Sequence, residues 1–225
     1  MVVFGSGRLA VLPSGFFAYS RENRPASVEA FRAETIKWLE TARHPRWKQP
    51  YTALAYQPMQ EVINFLRANG FRTYIVTGSI QDFVRVFAEH VYGIPPEQVI
   101  GSADTLKYGY DADGKPLLTI EPKVLLDDDF AGKPDDIHLI IGRRPFAAFG
   151  NSTGDRQMLE YTKAGRGLRL AMDALRSTDS LQQAEVALRA LQRDVKLADV
   201  APEEAGRVAR RRMTRCEREA PVTLQ

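Results

Sequence analysis

Short apolar runs alternate with amphipathic segments through the middle of the chain. In residues 56–70, Val62, Phe65 and Leu66 recur at helical spacing, and Gly70 is a suitable C-terminal cap. Runs of this type are separated by brief β-rich stretches, and that alternation predicts a parallel α/β sheet. The predicted elements are helices from Ser27, over 56–70 and over 81–93, and parallel strands near 73–76, 97–100 and 146–149.

Two later stretches extend this pattern, and a third departs from it. Residues 106–120 carry Asp-Gly between two β-rich pieces, which predicts a hairpin. Residues 145–155 form an apolar strand pattern that ends in a polar turn. After residue 164 the pattern becomes helical, with leucines at near-heptad spacing and then an arginine-rich segment.

The charge is unevenly distributed along the chain. Residues 1–164 contain 19 Lys and Arg and 19 Asp and Glu, so the net charge of +3 comes from the 12 basic and 9 acidic residues of 165–225. No aromatic residues interleave the arginines, so nucleic-acid binding is not expected. We also expect no membrane partner, since no long apolar run is present. Cys216 is the only cysteine, and a cytoplasmic location is expected.

Three polar groups stand at the ends of predicted strands or the start of a helix. Thr77-Gly78-Ser79 ends one strand, Lys133 precedes a helix, and Asn151 and Asp155 follow another strand. Each alone has an ordinary explanation as a helix cap or a solvated loop residue. The order of these groups along the chain resembles the order of the sequence motifs in the haloacid dehalogenase (HAD) superfamily. The chain resembles the phosphatase branch of that superfamily, close to phosphoserine-phosphatase-like hydrolases. The resemblance covers roughly residues 27–162.

The resemblance implies a role for each residue. Thr77, Gly78 and Lys133 would bind the substrate phosphate, and Thr77 and Lys133 would also act in catalysis by hydrogen bonding and charge screening. Asp155 would hold Mg²⁺, which prefers oxygen ligands, and Asn151 would be a weaker, neutral ligand. The implied partner is a small phosphorylated molecule.

The nucleophile expected from the resemblance is missing. The family's first motif is Asp-x-Asp-x-Thr after the first strand, but no Asp occurs in residues 1–81. We therefore expect the nucleophile strand to lie upstream of this chain and the sheet to be incomplete. Asp127, Asp128 and Asp129 are expected to form a solvated loop, although a substitute nucleophile there is the alternative.

These points together predict a HAD-like Rossmannoid α/β fold in three parts. Residues 1–50 would be a partial helical cap, residues 51–164 the α/β core, and residues 165–225 a basic helical tail. The predicted function is a HAD-type phosphatase by ancestry that is truncated or inactive. The alternatives are a non-catalytic protein that binds phosphate and Mg²⁺, and a helical interaction module that acts through the tail. Self-association through an exposed sheet edge is also expected.

Overall fold

The computed structural model describes residues 1–5, 27–166 and 170–173. Secondary structure in these residues follows the predicted alternation of strands and helices. The strands are β1 (Val2–Gly5), β2 (Thr73–Ile80), β3 (Val99–Tyr110), β4 (Pro116–Leu126), β5 (Ala147–Gly150) and β6 (Leu170–Asp173). The helices are α1 (Val28–Thr41), α2 (Gln57–Ala68), α3 (Gln81–Tyr92), α4 (Gly132–Ile141) and α5 (Arg156–Lys163).

The strands form one sheet in the order β4-β3-β2-β1-β5-β6. Five of them run parallel, and β4 pairs antiparallel with β3 as the predicted hairpin. Strand β1 is central, because Val3 lies opposite Tyr74 of β2 on one side and Ala148 of β5 on the other. The parallel α/β fold expected from the sequence is confirmed.

Local sequence signals explain where the helices begin and end. Ser27 caps α1, since its side-chain oxygen accepts a hydrogen bond of 3.1 Å from the Ala30 amide. Gly93 ends α3 in the left-handed conformation at φ 64°, which glycine adopts without the clash that a Cβ would cause. Trp38 of α1 lies edge-on against Phe83 of α3, with 5.9 Å between the ring centroids.

The core lies around the central strands. Val3, Val76 and Ala148 are fully buried on three adjacent strands, and Ile137 of α4 and Met158 of α5 pack against the same cluster. Removing this much apolar surface from water is the main stabilising term of the fold. It also holds α4 and α5 firmly against the sheet, and these two helices adjoin the polar groups at its carboxyl edge.

The position of β1 corrects the assignment of the first residues to a cap. Residues 1–50 were assigned to a cap, but Val2–Gly5 lie at the centre of the core sheet. The run Val2-Val3-Phe4 is too short for periodicity to separate a strand from a buried helical turn. The cap assignment for the rest of that segment stays a prediction.

A second correction concerns the start of the tail. The helical pattern read after residue 164 is wrong at Leu170–Asp173, because these residues pair in parallel with β5. The exposed edge of a sheet can impose extended structure on a short segment whose own pattern suits a helix. The predictions for residues 174–225 lie outside the described residues. No helix within the described part of the chain is long and apolar enough to cross a membrane.

Candidate functional site

The predicted site residues meet at the carboxyl edge of the parallel strands. Thr77 is near the end of β2, Gly5 ends β1, and Gly150 ends β5 on the other side of β1. Lys133, in the first turn of α4, is 3% exposed and its Nζ donates a hydrogen bond of 3.1 Å to the Val76 carbonyl. Ligands in open α/β sheets bind at this edge, where strand order reverses across a central strand.

Asp155 is held by its own turn and faces Lys133. Its Oδ2 accepts three hydrogen bonds, from the Asn151 amide at 2.9 Å and from the Ser152 amide and hydroxyl at 3.1 Å each. Its Oδ1 lies 3.5 Å from Lys133 Nζ and has no hydrogen-bond partner among the described residues. One oxygen therefore fixes the carboxylate, and the other remains able to accept from a ligand.

Thr77 and Gly78 lie in the last part of β2, where the pairing register with β3 shifts between Thr77 and Ile80. The Thr77 hydroxyl accepts a hydrogen bond of 3.0 Å from the Ser79 amide, and it can still donate its own hydrogen. The Gly78 carbonyl accepts a hydrogen bond of 3.1 Å from the Ser102 hydroxyl. A side-chain contact thus ties this end of β2 to β3. The structure brings Thr77, Lys133 and Asp155 to one edge of the sheet. Their chemical roles stay predictions.

Two glycines make room for the Asp155 carboxylate. A Cβ added to Gly5 would stand 2.6 Å from Asp155 Cγ and 2.8 Å from its Oδ2. A Cβ added to Gly150 would stand 2.6 Å from Asp155 Cβ. Both distances are far inside van der Waals contact, so the carboxylate fills space that a side chain on the ends of β1 and β5 would need.

Gly5 also bears on the predicted position of the nucleophile strand. The sequence placed the nucleophile strand upstream of the chain, but β1 already lies between β2 and β5, and it ends beside Asp155 and Lys133. The strand end nearest to this charged pair therefore carries no side chain. A signal was present in the sequence: the apolar run of residues 2–4 is followed directly by Gly-Ser-Gly.

Asp128 is a site residue that sequence reasoning missed. The three acids at 127–129 were expected to be solvated, and Asp127 and Asp129 are exposed, but Asp128 is 0% exposed. Its Oδ2 lies 3.8 Å from Lys133 Nζ. Burial raises the pKa of Asp128 to about 8, because the charge of Lys133 lowers it by less than desolvation raises it. Three consecutive acids carry no sequence signal that distinguishes the middle one.

The two predicted magnesium ligands, Asp155 and Asn151, lie at the carboxyl end of β5. Within the described residues, no group of three or more His, Cys, Asp or Glu side chains could hold a metal ion. Asp155 Oδ1 and Asn151 Oδ1 are, however, both buried oxygens without a hydrogen-bond partner in that part of the chain. Mg²⁺ takes such oxygens through one or two protein groups and completes its octahedron with waters and phosphate oxygens. The pair fits that pattern.

Comparison with known families agrees with this architecture. A family model for haloacid dehalogenase-like hydrolases matches residues 6–160, which is more than half of the chain. The chain belongs to the haloacid dehalogenase-like hydrolase family.

The solved structures that are similar to the chain include the following two. One is a conserved functionally unknown protein from Anaerococcus prevotii DSM 20548, with 29% identity and a TM-score of 0.39 over 57% of this chain and 35% of that one. The chain thus spans about a third of the length of that protein. The other is a phosphoserine phosphohydrolase-like protein from Francisella tularensis subsp. tularensis SCHU S4, with 13% identity and a TM-score of 0.38 over 71% of this chain and 81% of that one. No curated protein matches.

Proposed function

We propose that this chain binds the phosphate group of a small phosphorylated molecule at the carboxyl edge of its sheet and does not hydrolyse it at enzymatic rates. Within the family this makes it a relative of the phosphatases that has kept the binding groups and lost the nucleophile. The observation that carries the proposal is Gly5. The strand end beside Lys133 and Asp155 offers no carboxylate that could attack phosphorus.

The binding half of the proposal is supported by Lys133 and Thr77. A buried lysine is a strong point charge for a phosphate oxygen, because little water competes with it. The Thr77 hydroxyl can donate a hydrogen bond from the neighbouring strand end. Gly78 lies against the loop that carries Asp128, because a Cβ there would stand 3.5 Å from the Asp128 carbonyl oxygen.

Magnesium belongs to this proposal as a second binding partner. Asp155 and Asn151 would hold it through the two buried oxygens that have no hydrogen-bond partner among the described residues. A bound Mg²⁺ would neutralise part of the charge on the phosphate oxygens. Asp155 would remain fixed through its Oδ2, so its Oδ1 could serve the metal without loss of the turn.

An active phosphatase that uses Asp128 as its nucleophile is a weaker alternative. Asp128 does lie near Lys133, but a fully buried carboxyl with its pKa raised to about 8 keeps its proton at neutral pH. A protonated carboxyl is a poor nucleophile. We therefore favour binding without turnover.

Two measurements on the full chain test the proposal. Inorganic phosphate should bind in calorimetry, and Lys133→Ala should weaken that binding by about tenfold to a hundredfold, as loss of a charge-assisted hydrogen bond does. Lys123→Ala is the matched control, because Lys123 is an exposed lysine on β4 and should leave binding unchanged. Thermal unfolding of both variants checks that the fold is retained.

Hydrolysis of an aryl phosphate with Mg²⁺ should be negligible for the same protein. Turnover on the order of 1 per second or faster would reject the non-catalytic proposal. Absence of phosphate binding, or equal binding by Lys133→Ala and Lys123→Ala, would reject the assigned site.

A further inference from the structure

Asp128 is anchored at the site by its backbone as well as by its burial. Its amide donates a hydrogen bond of 3.0 Å to the Ser102 hydroxyl, which in turn donates to the Gly78 carbonyl at 3.1 Å. The loop that carries Asp128 is therefore fastened to the end of β2 at Gly78. The carboxyl cannot move into solvent unless these contacts are broken.

The Lys133 ammonium lies among three acceptors. Its hydrogen bond goes to the Val76 carbonyl, while Asp155 Oδ1 at 3.5 Å and Asp128 Oδ2 at 3.8 Å are its two acidic neighbours. One lysine is thus shared by two carboxyl groups that are 1% and 0% exposed. If both were ionised, the site would carry a net negative charge at the point where an anion is to bind.

We propose that Asp128 is a further residue of this site, a positioning residue that shares Lys133 with Asp155 and controls how much of the lysine's charge a bound anion meets. With a proton on Asp128, Lys133 balances Asp155 alone, and the site is neutral. Without that proton, Lys133 serves two carboxylates, and an incoming dianion meets a net negative site. This inference rests on the proposed phosphate binding and adds its dependence on pH.

The surroundings of Asp128 favour a carboxyl group that keeps its proton near neutral pH. Desolvation is the largest influence and raises the pKa to about 8, while Lys133 lowers it and Asp136 raises it. The backbone amide of Thr77 gives a smaller lowering and Asp129 a smaller rise. Neither carboxyl oxygen has a hydrogen-bond partner of normal geometry in the described part of the chain. A buried carboxyl group without hydrogen-bond partners is more stable as the neutral acid than as the carboxylate.

The test uses sulfate, a tetrahedral dianion that does not change its charge between pH 6.5 and 9. Sulfate binding to the full chain is measured by calorimetry at both pH values for the wild type, Asp128→Asn and Asp127→Asn. Asparagine imitates the protonated carboxyl in shape and charge. Asp127→Asn is the matched control, since it removes the neighbouring acid, which is exposed.

The wild type should lose about tenfold in affinity between pH 6.5 and 9, because at the higher pH about ten Asp128 carboxyls in eleven are ionised. Asp127→Asn should lose the same factor. Asp128→Asn should change its affinity for sulfate by less than about twofold between pH 6.5 and 9. A role in folding alone would not produce this difference between pH profiles.

The outcomes separate this inference from the proposal it depends on. A wild type with pH-independent binding, or an Asp128→Asn variant that keeps the tenfold loss, overturns the role of Asp128 and leaves phosphate binding in place. No binding of sulfate or phosphate by the wild type at either pH overturns both. If Asp128→Asn fails to fold, Asp128→Ser replaces it. The pH profile of the wild type still decides whether anion binding depends on pH.

Discussion

Substitution of Gly5 by alanine tests the packing that defines the site. The added methyl would stand 2.6 Å from Asp155 Cγ and 2.8 Å from Asp155 Oδ2, so the carboxylate would have to leave its place. That place is set by three hydrogen bonds and by Lys133. Overpacking costs about 1–3 kcal/mol, and each weakened hydrogen bond about 1 kcal/mol more. We expect Gly5→Ala to lower the free energy of unfolding by about 2–4 kcal/mol.

The measurement is urea denaturation followed by circular dichroism, with Gly109→Ala as the control. Gly109 also lies within a strand, but a Cβ there would meet nothing within 4 Å, and so its substitution should change stability by less than about 0.5 kcal/mol. The linear dependence on denaturant gives the difference between the variants directly.

A double-mutant cycle with Asp155→Ala identifies the cause of the loss. Truncation of Asp155 removes all three atoms nearest to the new methyl, so Gly5→Ala should cost less than about 1 kcal/mol when Asp155→Ala is already present. Equal stability of Gly5→Ala and Gly109→Ala would refute the packing at the strand end. A cost that persists without the Asp155 carboxylate would refute its attribution to that group.

Two further predictions concern the charged groups. Between its ordinary pKa of 3.8 and its raised pKa of about 8, Asp128 is ionised only in the unfolded chain, so the free energy of unfolding should fall as pH rises through this range, by up to about 6 kcal/mol. Asp128→Asn should lose this slope in urea denaturation at several pH values. With phosphate present, Mg²⁺ at ten times its dissociation constant should stabilise the wild type by about 1.4 kcal/mol in thermal unfolding. Asp155→Asn should abolish that gain and Asn151→Ala should reduce it, whereas an undiminished gain in Asp155→Asn would remove Asp155 from the metal site.

Most of the helices and the parallel strands were predictable because their signals are local. The apolar faces of residues 56–70 and 81–93, the cap at Ser27 and the glycine at position 93 each act within a few residues. The polar groups at strand ends were predictable for a related reason. Parallel strands place their carboxyl ends along one edge, so Thr77 and Asp155 had to come near one another once the strands were recognised.

Tertiary structure decided the elements that are too short to carry a pattern. Val2–Gly5 and Leu170–Asp173 have four residues each, and neither run shows enough alternation to separate a strand from a helical turn. Each becomes a strand because β5 offers its backbone hydrogen bonds on both sides. Pairing with a strand that is distant in the chain leaves no trace in local composition.

The identity of the site was decided in the same way. In the sequence, Asp127, Asp128 and Asp129 are equivalent, and Gly5 is a glycine among several. Desolvation raises the pKa of Asp128, which is buried beside Lys133, and contact with Asp155 gives Gly5 its importance. Residue type and order along the chain determined which groups reach the carboxyl edge of the sheet. Desolvation and close packing, which exist only in the folded chain, determined which carboxyl groups share the lysine and which glycine lies against Asp155.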